Sequence, residues 1–324
     1  MLIQNEYLKT VENNLVILDS FIKMSSVIPQ YKNIAVSISG GSDSDIILDM
    51  VTKIKCDTNI KYVWFDTGLE YQATKDHLKY LEEKYNIKIE RYKAIKPIPL
   101  TCKNYGQPFL SKKISNNIAR LQKHNFKWED KPFEELYKEY PNCKVALRWW
   151  CNECGKSPTL NISGRKYLKE FMIANPPTFK ISDLCCEYAK KKVGHKFSKE
   201  NNVDLEITGV RKSEGGIRST AYKTCFDSKE KDVSTYRPIF WYLNSDKQEY
   251  ERIFNIYHSK CYTEYGLKRT GCAGCPFGKD FEFELEVIKQ NEPKLYIAVN
   301  NIFKNSYEYT RAYNKFKNEM EEKW

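Results

Sequence analysis

Three groups of residues have the types and spacing for chemistry. The first is the run Val36-Ser37-Ile38-Ser39-Gly40-Gly41-Ser42-Asp43-Ser44, in which paired glycines separate an apolar stretch from the start of a helix-like segment. Unpaired amides at a helix N-terminus attract anions, and glycines let a ligand come close to the main chain. Ser37, Ser39, Gly40, Gly41, Ser42 and Ser44 are therefore candidate phosphate-binding residues, and Asp43 is the candidate organiser of catalysis. Neither GxxxxGK[ST] nor GxGxxG is present.

The second group is Gly209-Val210-Arg211-Lys212-Ser213-Glu214-Gly215-Gly216-Ile217-Arg218. Guanidinium groups bind phosphate or sulfate through paired hydrogen bonds, so Arg211 and Arg218 suit a polyanion, and Glu214 suits orienting an arginine. The third group is drawn from eleven cysteines. Gly271-Cys272-Ala273-Gly274-Cys275-Pro276 is a tight knuckle of the kind that offers two thiolates to one metal. Cys185, Cys186 and Cys225 are the candidate partners, and zinc and iron–sulfur both accept four thiolates. Cys151-x-x-Cys154 is a separate pair, while Cys56, Cys102, Cys143 and Cys261 read as small buried apolar residues.

These groups need elements to hold them. Ile34–Ile38 reads as a buried strand and Ile60–Phe65 as a second one, ending in Asp66-Thr67-Gly68. Glu70–Tyr85 has helical spacing, and Ile87–Tyr92 reads as a third strand. Such alternation implies a parallel sheet with ligands beyond the carboxyl ends of its strands, where Asp66, Thr67 and Gly68 suit the nucleoside half of a nucleotide. Residues 6–28 place Leu8, Val11, Leu15, Leu18 and Ile22 on one helical face. Residues 100–165 read as an insertion with helices near 111–124 and 132–140. Asp204–Val210 resumes the core as a strand, and Asp246–Tyr257, Phe281–Gln290 and Lys294–Glu322 read as helices.

The expected fold class is α/β: a Rossmann-like parallel sheet flanked by helices, with a helical insertion and a C-terminal cysteine-containing helical region. The expected domains are an N-terminal helix (1–30), a nucleotide-binding domain (31–260, insertion about 100–180), and the cysteine knuckle with C-terminal helices (261–324). A net charge of +11, from 53 Lys+Arg against 42 Asp+Glu, favours an anionic partner such as a nucleotide, tRNA or DNA. No apolar run approaches the ~20 residues of a membrane span, and the start of the chain lacks a signal peptide's pattern. The expectation is a cytoplasmic protein with no membrane partner.

In this order the motifs resemble the PAPS-reductase-like branch of the adenine-nucleotide α-hydrolase (PP-loop ATP pyrophosphatase) superfamily. The matching elements are Ser39-Gly40-Gly41-Ser42-Asp43-Ser44, Asp66-Thr67-Gly68, Cys185-Cys186, and Gly209-Val210-Arg211 with Arg218. They continue at Arg237-Pro238-Ile239-Phe240-Trp241 before Asp246, and at Arg269-Thr270-Gly271-Cys272 through Phe277. The resemblance implies that the first loop grips the phosphates of ATP, PAPS or APS, that the second holds adenosine, and that Arg211 and Arg218 hold the distal anion. It also implies the HUP type of Rossmann-like sheet and a 4Fe–4S cluster on Cys185, Cys186, Cys272 and Cys275, or on Cys186, Cys225, Cys272 and Cys275, with Zn²⁺ the alternative that four thiolates allow. Cys225 stands where relatives from phage and mobile elements carry a Gly-Cys, so it can replace Cys185 or Cys186.

The loop's frequent lysine is Ser42 here, which implies loss of a direct charge on the phosphates. No cysteine follows Cys275, which points away from a thioredoxin-dependent reductase. The expected function is ATP-dependent sulfur transfer with Mg²⁺, releasing AMP and pyrophosphate. A tRNA or DNA acceptor and a cysteine desulfurase or other sulfur donor are the expected partners. The alternatives are a sulfonucleotide reductase using Cys151 and Cys154, and a non-catalytic nucleotide- or nucleic-acid-binding component of a defence or modification system.

Overall fold

The computed structural model describes residues 5–215, 221–228 and 232–322. The chain forms two compact units, each assembled from two segments: Met1–Ala94 with Lys190–Cys272, and Ile95–Ala189 with Ala273–Trp324.

The first unit is built on a six-stranded sheet. Its strands are β1 (Asn33–Ser37), β2 (Asn59–Asp66), β3 (Ile89–Lys93), β4 (Leu205–Ile207), β5 (Phe226–Asp227) and β6 (Ser234–Tyr236), in the order β3-β2-β1-β4-β6-β5. All neighbours pair in parallel except β5 with β6. Ile34, Ala35 and Val36 of β1 are buried, as a central parallel strand covered on both faces requires. The strand order reverses between β1 and β4, the place where open α/β sheets take their ligands. One face packs Ile34, Val36, Leu205, Ile207 and Tyr236 into the main hydrophobic cluster with Phe21, Met24 and Tyr250. On the other, Ala35 and Val63 meet Phe197 of the Lys192–Glu200 helix.

The sequence pattern locates β1–β4 and the Gln72–Tyr85 and Asn244–Ile253 helices to within a few residues, but the N-terminal segment differs. Two helices, Asn5–Thr10 and Leu15–Val27, replace the single one expected. Asn14 caps the second, its side chain accepting from the amides of Val16 and Ile17 at 3.1 Å. The cap restarts the helical register. Ile17, Phe21 and Met24 face inward, whereas Leu15 and Ile22 are exposed.

The second unit is helical. Its core gathers Phe126, Trp128, Trp149, Trp150, Phe171 and Tyr313, with the fully buried Trp150 donating from its indole to the carbonyl of Glu129 at 3.0 Å. The Lys112–Lys123 and Phe133–Glu139 helices fall where the sequence places them, and Phe281–Asn291 and Pro293–Glu322 follow the cysteine knuckle. The inserted segment and the C-terminal helices thus belong to one unit. Among the described residues, no helix is long and apolar enough to cross a membrane.

Candidate functional site

The glycine loop joins β1 to the Ser42–Thr52 helix. Gly40 has φ +69°, and a Cβ there would stand 2.7 Å from a methyl of Thr74, so only glycine fits. Ser44 closes the turn, donating from Oγ to the carbonyl of Gly41 at 2.7 Å and accepting from the amide of Ser39 at 3.3 Å. The amide of Ser42 donates to the hydroxyl of Tyr262 at 3.3 Å, and that hydroxyl lies 3.2 Å from Thr270 Oγ1. The Gly209 backbone packs tightly on the loop, since a Cβ there would lie 2.9 Å from the Asp43 carbonyl.

A cavity of about 230 Å³ opens on this loop. Ser39, Gly41, Ser42, Asp43 and Ser44 line one side, and Arg211, Glu214, Lys247, Lys268, Arg269 and Thr270 line much of the other. Among the described residues lining it, four cations face two carboxylates, a surplus of two positive charges. Arg211 donates from Nε to both oxygens of Asp43 at 3.1 Å, and from Nη1 to Ser213 Oγ at 3.1 Å and Asn244 Oδ1 at 3.0 Å. Lys247 reaches the same carboxylate at 2.9 Å and also bonds Ser42 Oγ. Arg269 pairs with Glu214 at 2.7 Å. Burial pushes the Asp43 carboxyl up, but Lys247, a hydrogen bond with Glu214 and Arg211 outweigh it and hold the group below the usual carboxylate range.

Behind the loop lies a buried ionic chain. Asp45, fully buried, receives His258 Nδ1 at 2.7 Å and His77 Nε2 at 3.0 Å, and His258 Nε2 lies 2.9 Å from Glu251. Glu251 in turn is 3.7 Å from Lys247. Burial works against the charged imidazole of His258, but Asp45 and Glu251 prevail and raise its pKa to about 9. Burial likewise disfavours the Asp45 carboxylate, yet His258 and His77 hold its pKa below the usual range.

The structure thus gathers Ser39, Gly41, Ser42, Asp43, Ser44 and Arg211 around the cavity, while Gly40 shapes the turn against Thr74. Ser37 instead lines an adjoining cavity of about 510 Å³ with Glu206, Thr235 and Arg237, and donates to Glu206 at 3.3 Å. Arg218 lies outside the described residues. Asp66, Thr67 and Gly68 line neither cavity. Asp66 is bound by Arg91 and accepts from the Gly68 amide at 2.8 Å, while Thr67 donates to Glu70 at 2.7 Å.

Sequence reasoning missed Lys247, Tyr262 and Lys268 as cavity residues. Lys247 carried one signal: a cation in the first turn of a helix opposes the helix dipole and asks for a compensating anion.

The cysteines divide. In the second unit the Cys185 thiol is held up by a hydrogen bond with Cys102, with Cys186 acting against this and burial adding to it; Cys275 is close enough to contribute. Cys102, expected as a small apolar residue, therefore belongs to this thiol group. In the first unit Cys272 Sγ lies 3.4 Å from Thr67 Oγ1, beyond β2. Cys225 packs beside Phe226 of β5 on the main hydrophobic cluster. The strand order separates β5 from β2 by four steps, about 19 Å at 4.7–4.9 Å per strand. Cys225 and Cys272 are therefore not brought together, against the expectation that they share a centre. Cys151 and Cys154 rest against the aromatic core, and burial pushes the Cys151 thiol up to about 11, unlike a reducing nucleophile. Among the described residues, no group of three or more His, Cys, Asp or Glu side chains is placed to hold a metal ion.

Comparison with known proteins adds a lineage. The model of the phosphoadenosine phosphosulfate reductase domain matches residues 33–277. An uncharacterized protein of Methanocaldococcus jannaschii is 25% identical over 293 residues, 87% of this chain and 43% of its own length. The chain thus spans less than half of that relative. Among solved structures, phosphoadenylyl-sulfate (PAPS) reductase from Candida auris in its phosphate complex aligns with 84% of this chain and 97% of its own, at 15% identity and a TM-score of 0.45. The U34-tRNA thiolase NcsA from Methanococcus maripaludis, with its [4Fe-4S] cluster, aligns with 92% and 79%, at 13% identity and 0.40. The NH3-dependent NAD synthetase from Campylobacter jejuni aligns with 91% and 96%, at 13% identity and 0.36.

Proposed function

We propose that this chain, which belongs to the phosphoadenosine phosphosulfate reductase domain family, binds an adenine nucleotide on the Ser39–Ser44 loop and cleaves ATP to drive sulfur transfer. The observation that carries this reading is the cavity on the loop, where four cations face two carboxylates. A surplus of two positive charges beside helix N-terminal amides matches a polyphosphate.

In the proposed reaction an acceptor oxygen attacks the α-phosphorus while the bond from that phosphorus to the bridging oxygen breaks. Pyrophosphate leaves with the electron pair. A sulfur nucleophile then attacks the carbon bearing the adenylated oxygen and expels AMP. Charge grows on the leaving pyrophosphate, and Arg211, Lys247, Lys268 and Arg269 stand ready to stabilise it before the reaction begins. Asp43 organises the cations. Its hydrogen-bond contact with Glu214 puts two carboxylates side by side, a donor set that fits Mg²⁺ shared with phosphate oxygens. Asp43 and Glu214 would hold that ion, which would neutralise part of the phosphate charge.

An iron–sulfur cluster or Zn²⁺ is a different matter. Thiols are the right donor type, and the second unit groups Cys102, Cys185, Cys186 and Cys275, but among the described residues no set of three or more such side chains is placed to hold a metal ion, and no step here runs through one. The acceptor in this reading is a tRNA or DNA, in keeping with the net charge of +11. The sulfur comes from a cysteine desulfurase or equivalent donor, released from its persulfide at the sulfide level by a thiol reductant.

The family's description favours one second reading, reduction of a sulfonucleotide, because a phosphosulfate meets the same cations. Products separate the two. Incubated anaerobically with ATP, Mg²⁺, sulfide and tRNA, the chain is expected to release AMP and pyrophosphate. Sulfite released from PAPS with a thiol reductant would move the assignment to the reductase, and no product from either mixture would make the chain a binding component. Asp43→Ala should abolish AMP formation with an unchanged circular dichroism spectrum; surviving turnover would move the site elsewhere.

A further inference from the structure

We infer that Lys247 is a phosphate-binding residue, supplied to the glycine loop by a distant helix and stored on the carboxylate of Asp43 beside Arg211. The inference rests on the proposed nucleotide site and adds a charge that the loop itself lacks.

Placement makes the case. Lys247 sits in the first turn of the Asn244–Ile253 helix, where the dipole disfavours a cation, and only 15% of its side chain is exposed. A buried ammonium in that position needs compensation. Its contacts lie on the cavity side: Asp43 at 2.9 Å and the hydroxyl of Ser42, with Glu251 behind it at 3.7 Å. Ser42 is the loop residue whose amide faces Tyr262, so the ammonium stands over the same turn that offers backbone donors.

Asp43 is shared. Its single negative charge faces both Arg211 and Lys247, leaving the trio one positive charge in excess. A phosphate oxygen entering the cavity competes for these two cations with more charge than one carboxylate provides. The partners differ in freedom. Arg211 is fixed by Ser213 and Asn244 as well as Asp43, whereas a lysine is a point charge on a flexible stem. Lys247 is thus the cation that can turn from carboxylate to phosphate without moving the backbone. Glu251, tied to His258 at 2.9 Å, steadies the stem from behind.

The test compares three probes, inorganic pyrophosphate, ATP and adenosine, by titration calorimetry of the full chain in EDTA. Lys247→Met should weaken pyrophosphate and ATP about tenfold, the scale of one charge-assisted hydrogen bond, and leave adenosine unchanged. Lys247→Arg should retain most of the affinity for both anions. A Lys247→Met chain that binds pyrophosphate like the original, or that loses adenosine by the same factor, overturns the inference; the second result would mark a purely structural role. Should Lys247→Met fail to fold, Lys247→Gln and Lys247→Arg give the same contrast. The outcomes separate the two ideas. An original chain that binds pyrophosphate but gains nothing from an attached adenosine sinks the nucleotide reading and leaves Lys247 standing. One that prefers ATP, with Lys247→Met equal to it, does the reverse.

Discussion

Replacing His258 with Gln isolates the charge in the buried ionic chain, because glutamine can still bridge Asp45 and Glu251 as a neutral group. His258 titrates at about 9 in the folded chain against an ordinary value of 6.5. At about 1.4 kcal/mol per tenfold change, that gap corresponds to about 3 kcal/mol. Solvent reaches 14% of the side chain, and screening reduces the figure to about 2 kcal/mol. The sign follows from the raised value. Below pH 6.5 the imidazole is protonated both folded and unfolded, so the contribution is complete; it is lost as pH rises through 9. Urea denaturation of the original chain and His258→Gln should therefore differ by about 2 kcal/mol at pH 6 and by little at pH 9.5. In thermal scans the pH 6 gap is about 6 °C, at 2–4 °C per kcal/mol for a domain of 150–250 residues. Subtracting the variant cancels the tyrosines and lysines that titrate in the same range. A gap that stays constant across this window, or widens with pH, would refute the assignment of a charged His258 between Asp45 and Glu251.

Two further substitutions probe the frame around the loop. Gly209→Ala drives a methyl to 2.9 Å from the Asp43 carbonyl, so it should cost about 1–3 kcal/mol of stability and weaken ATP in calorimetry. Asp49, only 2% exposed, accepts from Tyr250 at 2.6 Å and Tyr85 at 3.0 Å and pairs with Lys53. Asp49→Ala strands all three partners and should lower stability by about 3–5 kcal/mol in urea denaturation, the cost of breaking a buried pair.

The phosphate loop was legible because it is local: a strand, two glycines and a helix start are adjacent in sequence, and their neighbours determine their conformation. Arg211 was legible for a related reason, standing just past the end of β4 at the point where the strand order reverses. Lys247, Tyr262 and Lys268 were not, because each reaches the cavity from an element whose position depends on tertiary packing. Asp66 reads from sequence as part of a ligand-binding turn; what the sequence does not show is its pairing with Arg91 of the neighbouring strand. Cys102 looked like filler until the fold set it against Cys185. The N-terminal helix was misread through a single residue, Asn14, whose cap shifts the buried face by part of a turn.

The interleaving of the two units has a consequence for biosynthesis. β1 bonds on one side to β2, which follows it closely, but on the other to β4, which leaves the ribosome only after the whole Ile95–Ala189 segment. That segment must itself wait for Ala273–Trp324, whose Tyr313 completes its aromatic core. Both cores stay open together for much of translation, and long-range parallel pairing is slow to form once its partners exist. Nascent chains of this protein therefore expose apolar surface from two unfinished cores at once, the condition under which partly folded chains are most prone to associate.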